Sequence, residues 1–299
     1  MTFPLSHPGL DQILAGLVDY AGLFPPAGLS MPAAAAQYAG YRKAPERWAL
    51  GRFIVPAARL PELTATLAES LGDGWGQARL SVIAGAERSE DLRQIADFNQ
   101  RWEAEDVLVD SLETRLSSVE EVDAFQASLP RGLTGYGEIP LGPLATALVR
   151  RLGDVGLSAK VRLGGVNPDQ FPDPVPVADF LIAVAERKLP FKATAGLHHP
   201  LRGQYRLTYD PGSAVGPMYG YLNIILATLV ALNRGNRQQV TAALVESQSG
   251  TILFDEAGLA WGDWRFDHRA LKALRVYFQG FGSCSFREPM DELEPALTR

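Results

Sequence analysis

The chain has 299 residues, 46% of them hydrophobic and 21% charged, which suits a globular protein with a sizeable core and the length of one (β/α)8 barrel. A net charge of −6 without any basic run argues against a nucleic-acid partner. The single cysteine, Cys284, excludes a disulfide framework and a cysteine-type structural zinc site. The apolar run 219–232 is too short to cross a bilayer and no signal peptide is recognised at the start, so the expected location is the cytoplasm, away from any membrane.

Short β-like segments recur at 17–24, 51–56, 79–84, 106–112, 133–139, 159–163 and 190–195. Helical patterns separate them, such as Leu92, Ile95, Ala96 and Trp102, and later Val177, Phe180, Leu181 and Val184. Strands alternating with helices at this spacing predict parallel strands joined by right-handed crossovers. The eighth strand is placed at 280–286, with a short closing helix at 290–297. The fold class is therefore α/β, a TIM barrel forming one domain over 1–299, with a large insertion at about 200–278 between strands seven and eight. That insertion is expected to hold an apolar helix at 221–232, a second at 237–246, a hairpin-like stretch at 251–264 and a helix at 267–278. Its start, 197–217, is expected to cover the pocket as a lid. An open doubly wound sheet is the rival, but no Gly-x-Gly-x-x-Gly follows the first strand.

In such barrels the active site lies at the carboxyl ends of the strands. Only five of the 28 basic residues are lysine, and two of these, Lys160 and Lys192, fall in the sixth and seventh strands. Unlike arginine, a lysine can shed its proton and act as a nucleophile. Strand alternation puts Lys160 with Arg162 on one face and Lys192 with Thr194 on one face. If that face is the interior, burial and like-charge repulsion lower the lysine pKa values; the competing expectation is ion pairing to neighbouring carboxylates.

Those carboxylates are Glu138 at the end of the fifth strand, Asp110 and Glu113 on the fourth, and Asp19 on the first. Glu138 and Asp110 are the candidates for moving protons, and Asp19, Glu113 and Thr194 for contacting substrate. His198 and His199 follow the seventh strand, and only one of two adjacent side chains is expected to face the site. With Glu138 they form the alternative, a metal-assisted lyase, isomerase or hydrolase. Gly282, Ser283 and Ser285 offer small residues and hydroxyls at a strand-to-helix turn of the kind that binds phosphate. A tight turn around a buried Cys284, or Cys284 as a nucleophile paired with His198, are the rival readings there.

At these residues the pattern resembles the deoxyribose-phosphate aldolase family, class I aldolases built on this barrel. Val-Asp-Tyr-Ala-Gly-Leu-Phe-Pro-Pro (18–26) is similar to that family's first-strand Asp-x-x-x-Leu-x-Pro. Lys160 falls where the family carries its Schiff-base lysine, and Lys192, in Lys-Ala-Thr-Ala-Gly, matches its second lysine. Residues 282–285 resemble its Gly-Thr-Ser-Ser phosphate turn, and Asp110 corresponds to its proton-relay aspartate. The sixth-strand signature departs, since Arg162 and Leu163 stand in place of Thr-Ser-Thr-Gly after the lysine's neighbour, and the insertion has no counterpart. The resemblance implies a lyase of the aldolase type, with Lys160 forming the imine, Lys192 tuning it, and Arg162 holding a carboxylate or phosphate. The partner expected is a small anionic carbonyl compound, without a resident cofactor, with a non-catalytic anion-binding barrel as the third reading and a homo-oligomer as the alternative to a monomer.

Overall fold

Eight parallel strands close on themselves in the computed structural model, which describes residues 8–70 and 74–298. They are β1 (Val18–Tyr20), β2 (Leu50–Pro56), β3 (Arg79–Ile83), β4 (Leu108–Arg115), β5 (Thr134–Glu138), β6 (Ser158–Arg162), β7 (Phe191–Thr194) and β8 (Phe278–Ser283). Strand β8 pairs with both β1 and β7, closing the barrel. The expected eighth strand is thus a barrel strand, two residues earlier than its sequence placement, and residues 284–286 belong to the turn that follows.

Two alternating faces explain the strands. Leu80 and Val82 of β3 are fully buried beneath the surrounding helices, and Ser81 between them turns inward. Strand β4 departs from its expected span of 106–112. Asp106 adopts a left-handed conformation that ends the turn Glu103–Glu105, so the strand starts later and runs on to Arg115. An irregularity after Val109 then skips Asp110: Leu80 pairs with Val109, but Ser81 pairs with Ser111. One extra residue reverses the alternation beyond it. Ser111 and Glu113 consequently face the interior while Leu112 faces the helices.

The helix Tyr221–Leu232 is buried at all but its last residue. Its ring at Tyr221 stacks on Phe281 of β8 at 5.0 Å, and it packs against the helices Pro174–Arg187, Arg237–Val245 and His268–Tyr277. A helix apolar on every side needs cover on every side. It occupies the layer around the barrel, with Arg237–Val245 packed against it and against Pro174–Arg187. The expected hairpin at 251–264 is a three-stranded antiparallel sheet, Leu253–Asp255, Gly258–Trp261 and Trp264–Asp267.

Asp19 of β1 sits between two glycines. A Cβ at Gly51 would lie 2.4 Å from its Oδ1, and one at Gly280 would lie 3.0 Å from its Oδ2. The carboxylate therefore fits only because neither neighbour carries a side chain. Gly51→Ala is expected to cost about 1–3 kcal/mol by overpacking, whereas Gly40→Ala, in the helix Met31–Tyr41 with open space around it, is neutral or stabilising. Urea unfolding of the two variants checks this; a Gly51→Ala protein as stable as the parent contradicts it.

Candidate active site

A cavity of about 800 Å³ opens at the carboxyl ends of the strands. Its floor is a chain of alternating charges. Lys192 Nζ stands 2.6 Å from Asp19 Oδ2 and 2.8 Å from Glu113 Oε1, while Lys160 Nζ stands 2.7 Å from Glu113 Oε2 and 2.9 Å from Glu138 Oε2. Glu113 is shared by both lysines. The register explains the grouping, since Glu138 pairs with Lys160, and Lys160 with Lys192, across three consecutive strands. Arg115 and Arg162 approach Glu138 from the rim at 3.3 and 3.4 Å.

Further contacts hold this floor. Ser111 Oγ donates to Ser81 Oγ at 2.8 Å, and Ser81 Oγ donates to Glu113 Oε1 at 2.6 Å. The Arg52 backbone N–H donates to Asp19 Oδ1 at 2.7 Å. Lys192 Nζ also lies 4.9 Å from the centre of the Tyr136 ring.

Burial alone would raise the Glu113 pKa, but the two ammonium groups outweigh it and hold the carboxyl far below the usual range. Burial would likewise lower Lys192, yet Asp19 and Glu113 override it and raise its pKa above the ordinary lysine value. The expected depression is therefore corrected for Lys192: Asp19 and Glu113 outweigh both its burial and the repulsion from Arg52. Glu138 is pushed up by burial and pulled down further by Lys160, and it ends below its ordinary value.

Asp110, expected to move protons, does not line the cavity. The displacement of β4 leaves it bound through both oxygens to Arg52, at 2.6 and 2.9 Å, and Glu113 takes the place between the lysines. Arg162, Thr194, His198, Gly282 and Cys284 line the cavity as well. The two histidines diverge. His199 stacks on Tyr205 at 3.5 Å and pairs with Glu292 at 2.7 Å, outside the cavity lining. His198 is buried, with Nδ1 3.2 Å from Glu288 Oε2, 3.3 Å from Ser283 Oγ and 3.7 Å from Cys284 Sγ. No group of three or more His, Cys, Asp or Glu side chains able to hold a metal occurs among the described residues.

The turn after β8 differs from the expected phosphate site. The Glu288 carboxylate already holds the His198 edge of this turn, Ser283 Oγ donates to Ser285 O at 2.6 Å, and Ser285 Oγ accepts from Glu288 N at 3.2 Å. Neither Ser283 nor Ser285 lines the cavity. A phosphate here would meet a carboxylate.

Of the expected lid, only His198 lines the cavity in the described structure. The hairpin of Gly203–Arg206 and Val215–Met218 lies at the active-site end, where the Tyr209 hydroxyl reaches Cys284 Sγ at 3.4 Å. Sequence reasoning missed Arg88, Thr114 and Glu121, which line the β3–β4 side. Their signal was positional: each follows or ends a strand at the carboxyl rim.

Compared with protein-family models, curated proteins and solved structures, the chain matches none. No helix among the described residues is long and apolar enough to cross a membrane.

Two outcomes are expected. Burial would lower His198, but its contacts with Cys284 and Glu288 push it up to about 10, so its folded pKa exceeds the unfolded one. The stabilisation is then complete below pH about 6.5 and lost as pH rises through about 10. Denaturation midpoints from pH 6 to 10.5 are expected to fall more in the parent than in His198→Asn; parallel slopes contradict the pairing. Lys192→Met leaves the buried Asp19 without its cation and Glu113 with Lys160 alone, and is expected to cost about 3–5 kcal/mol, read by urea unfolding, with a loss under 1 kcal/mol as the contrary result.

Proposed function

We propose that this protein is a lysine-imine lyase, cleaving or forming a carbon–carbon bond in a small anionic carbonyl compound. The observation that carries the reading is the pair Lys160 and Lys192, adjacent on β6 and β7, bridged by Glu113 and both lining one cavity. The sequence resemblance to class I aldolases supports the same assignment.

Lys192 lies between Asp19 and Glu113 and stays an ammonium. Lys160 contacts the rim carboxylate Glu138, which accepts its proton and frees the amine. The amine nitrogen bonds to the substrate carbonyl carbon, and the carbonyl oxygen leaves as water after taking up two protons. In the resulting iminium, a β-hydroxyl gives its proton to a carboxylate and the Cα–Cβ bond breaks. Its electron pair passes into an enamine and an aldehyde departs. Reprotonation of the enamine carbon and hydrolysis of the imine return the lysine. These transfers are assigned to Glu138 because it contacts Lys160 at 2.9 Å and is approached by Arg115 and Arg162 from the rim. Lys192, held as an ammonium by Asp19 and Glu113, supplies a fixed positive charge next to Lys160 across the shared Glu113.

Borohydride reduction in the presence of a panel of small aldehydes and oxo acids, followed by peptide mapping, tests the reading. The parent is expected to gain one adduct, on Lys160. Lys160→Arg is expected to fold and to gain none, because a guanidinium offers no neutral amine; Lys192→Arg is expected to react more slowly. No adduct with any carbonyl, or equal labelling of Lys160→Arg, overturns the assignment.

A further inference from the structure

We infer that Arg88 is a carboxylate anchor, and that the ligand of this cavity is a short oxo acid whose carboxylate binds on the β3–β4 side. The inference deepens the imine-lyase reading and rests on it for the position of the carbonyl.

Arg88 opens the helix Arg88–Trp102 that follows β3, and its guanidinium lines the cavity while resting on the Phe125 ring at 4.8 Å. The other cavity-lining lysines and arginines each contact a carboxylate, at distances between 2.6 and 3.4 Å. Arg88 alone among them has no ion-pair partner in the described structure, and its Nη1 is buried without a hydrogen-bond partner. Two carboxylates act on it from nearby without pairing with it: Asp91 accepts from the Gly85 N–H at 2.8 Å, and Glu121 accepts from the Ser117 N–H and hydroxyl at 2.6 and 2.9 Å. A guanidinium that is half-buried, planar and unpaired is short of one anion. Burial lowers its pKa, the electrostatic signature of a cation awaiting a partner.

The charge balance selects the class of anion. The cavity is lined by five lysines and arginines, Arg88, Arg115, Lys160, Arg162 and Lys192, against four carboxylates, Asp19, Glu113, Glu121 and Glu138, with His198 paired to Glu288, so it lacks one negative charge, which a carboxylate supplies and a phosphate dianion exceeds. The opposite rim disfavours anions, because Glu288 lies against His198 there.

Thr114 gives the second half of the anchor. Arg88 Nη2 donates to Thr114 Oγ1 at 3.4 Å, leaving the threonine hydroxyl proton free for a ligand oxygen. Thr114 is the neighbour of Glu113 on β4, and Glu113 contacts Lys160. Arg88 and Thr114 line the same cavity as Lys160, so a ligand whose carboxylate is held by the first two shares that cavity with the Lys160 amine.

Calorimetric titration of pyruvate, its neutral methyl ester and inorganic phosphate into the parent, Arg88→Gln and Arg88→Lys tests this, with thermal melts as the folding control. Pyruvate is expected to bind the parent more tightly than phosphate or the ester does. Arg88→Gln is expected to weaken pyruvate about 10- to 100-fold, the worth of one hydrogen bond to a charged group, with the ester unchanged and Arg88→Lys in between. Equal pyruvate affinity in Arg88→Gln, phosphate binding tighter than pyruvate, or no pyruvate binding to the parent overturns the inference. Should Arg88→Gln unfold, Arg88→Lys decides: affinity equal to the ester's in a folded Arg88→Lys also overturns it. The binding readout is separate from imine trapping, so pyruvate held through Arg88 without a reducible adduct sinks only the lyase reading.

Discussion

Two ammonium groups on adjacent strands of a closed barrel repel each other, and each is costly to remove from water. Glu113 answers both costs at once. It stands within 2.8 Å of Lys160 and Lys192, and Asp19 and Glu138 flank the pair on either side. Removing an ion from water costs several kcal/mol even after the protein relaxes. A contact at about 4 Å returns about 4 kcal/mol at an effective dielectric near 20, so one carboxylate per lysine does no more than balance the loss. Two contacts per lysine are needed, and the shared carboxylate provides them with three acids for two cations.

Much of the local geometry serves that arrangement. Gly51 and Gly280 leave room for Asp19. The Ser111–Ser81–Glu113 hydrogen bonds fix the shared carboxylate, and Tyr136 lies beside the Lys192 ammonium. Below this layer Arg52 pairs with Asp110, and the Tyr136 hydroxyl donates to Gln279. The barrel interior is thus polar through two successive levels, where branched aliphatic side chains usually fill such a core. Its stability rests on the helices and the outer strand faces, which leaves the interior free to carry chemistry.

The barrel was legible because its strands are short apolar segments at regular spacing with helical periods between them. Lys160 and Lys192 were legible for a different reason, as scarce lysines inside apolar strands. What the sequence hid is equally physical. A single extra residue at Asp110 reverses which side chains of β4 point inward, and nothing in Val-Asp-Ser-Leu-Glu-Thr-Arg marks the place where the alternation slips. The direction of the Lys192 shift was missed because it depends on which carboxylates the fold brings within 3 Å, not on the presence of a second cation. The turn after β8 has the small residues of an anion site, and that Glu288 reaches His198 beside it is a tertiary fact that the local sequence does not carry. Arg88 could not be told from a surface arginine until the ion pairs of its neighbours were known.

The shared carboxylate is the claim on which the rest depends, and the Lys192 nitrogen reports on it directly. With only five lysines in the chain, nitrogen-15 labelling of lysine gives a simple spectrum in which Lys192 is assigned by its Lys192→Arg variant. The account predicts that the Lys192 resonance stays at the ammonium position through the pH range in which the exposed lysines titrate, and that Glu113→Gln brings its titration down. A Lys192 resonance that moves to the neutral-amine position at lower pH than the exposed lysines, or one unaffected by Glu113→Gln, would contradict it.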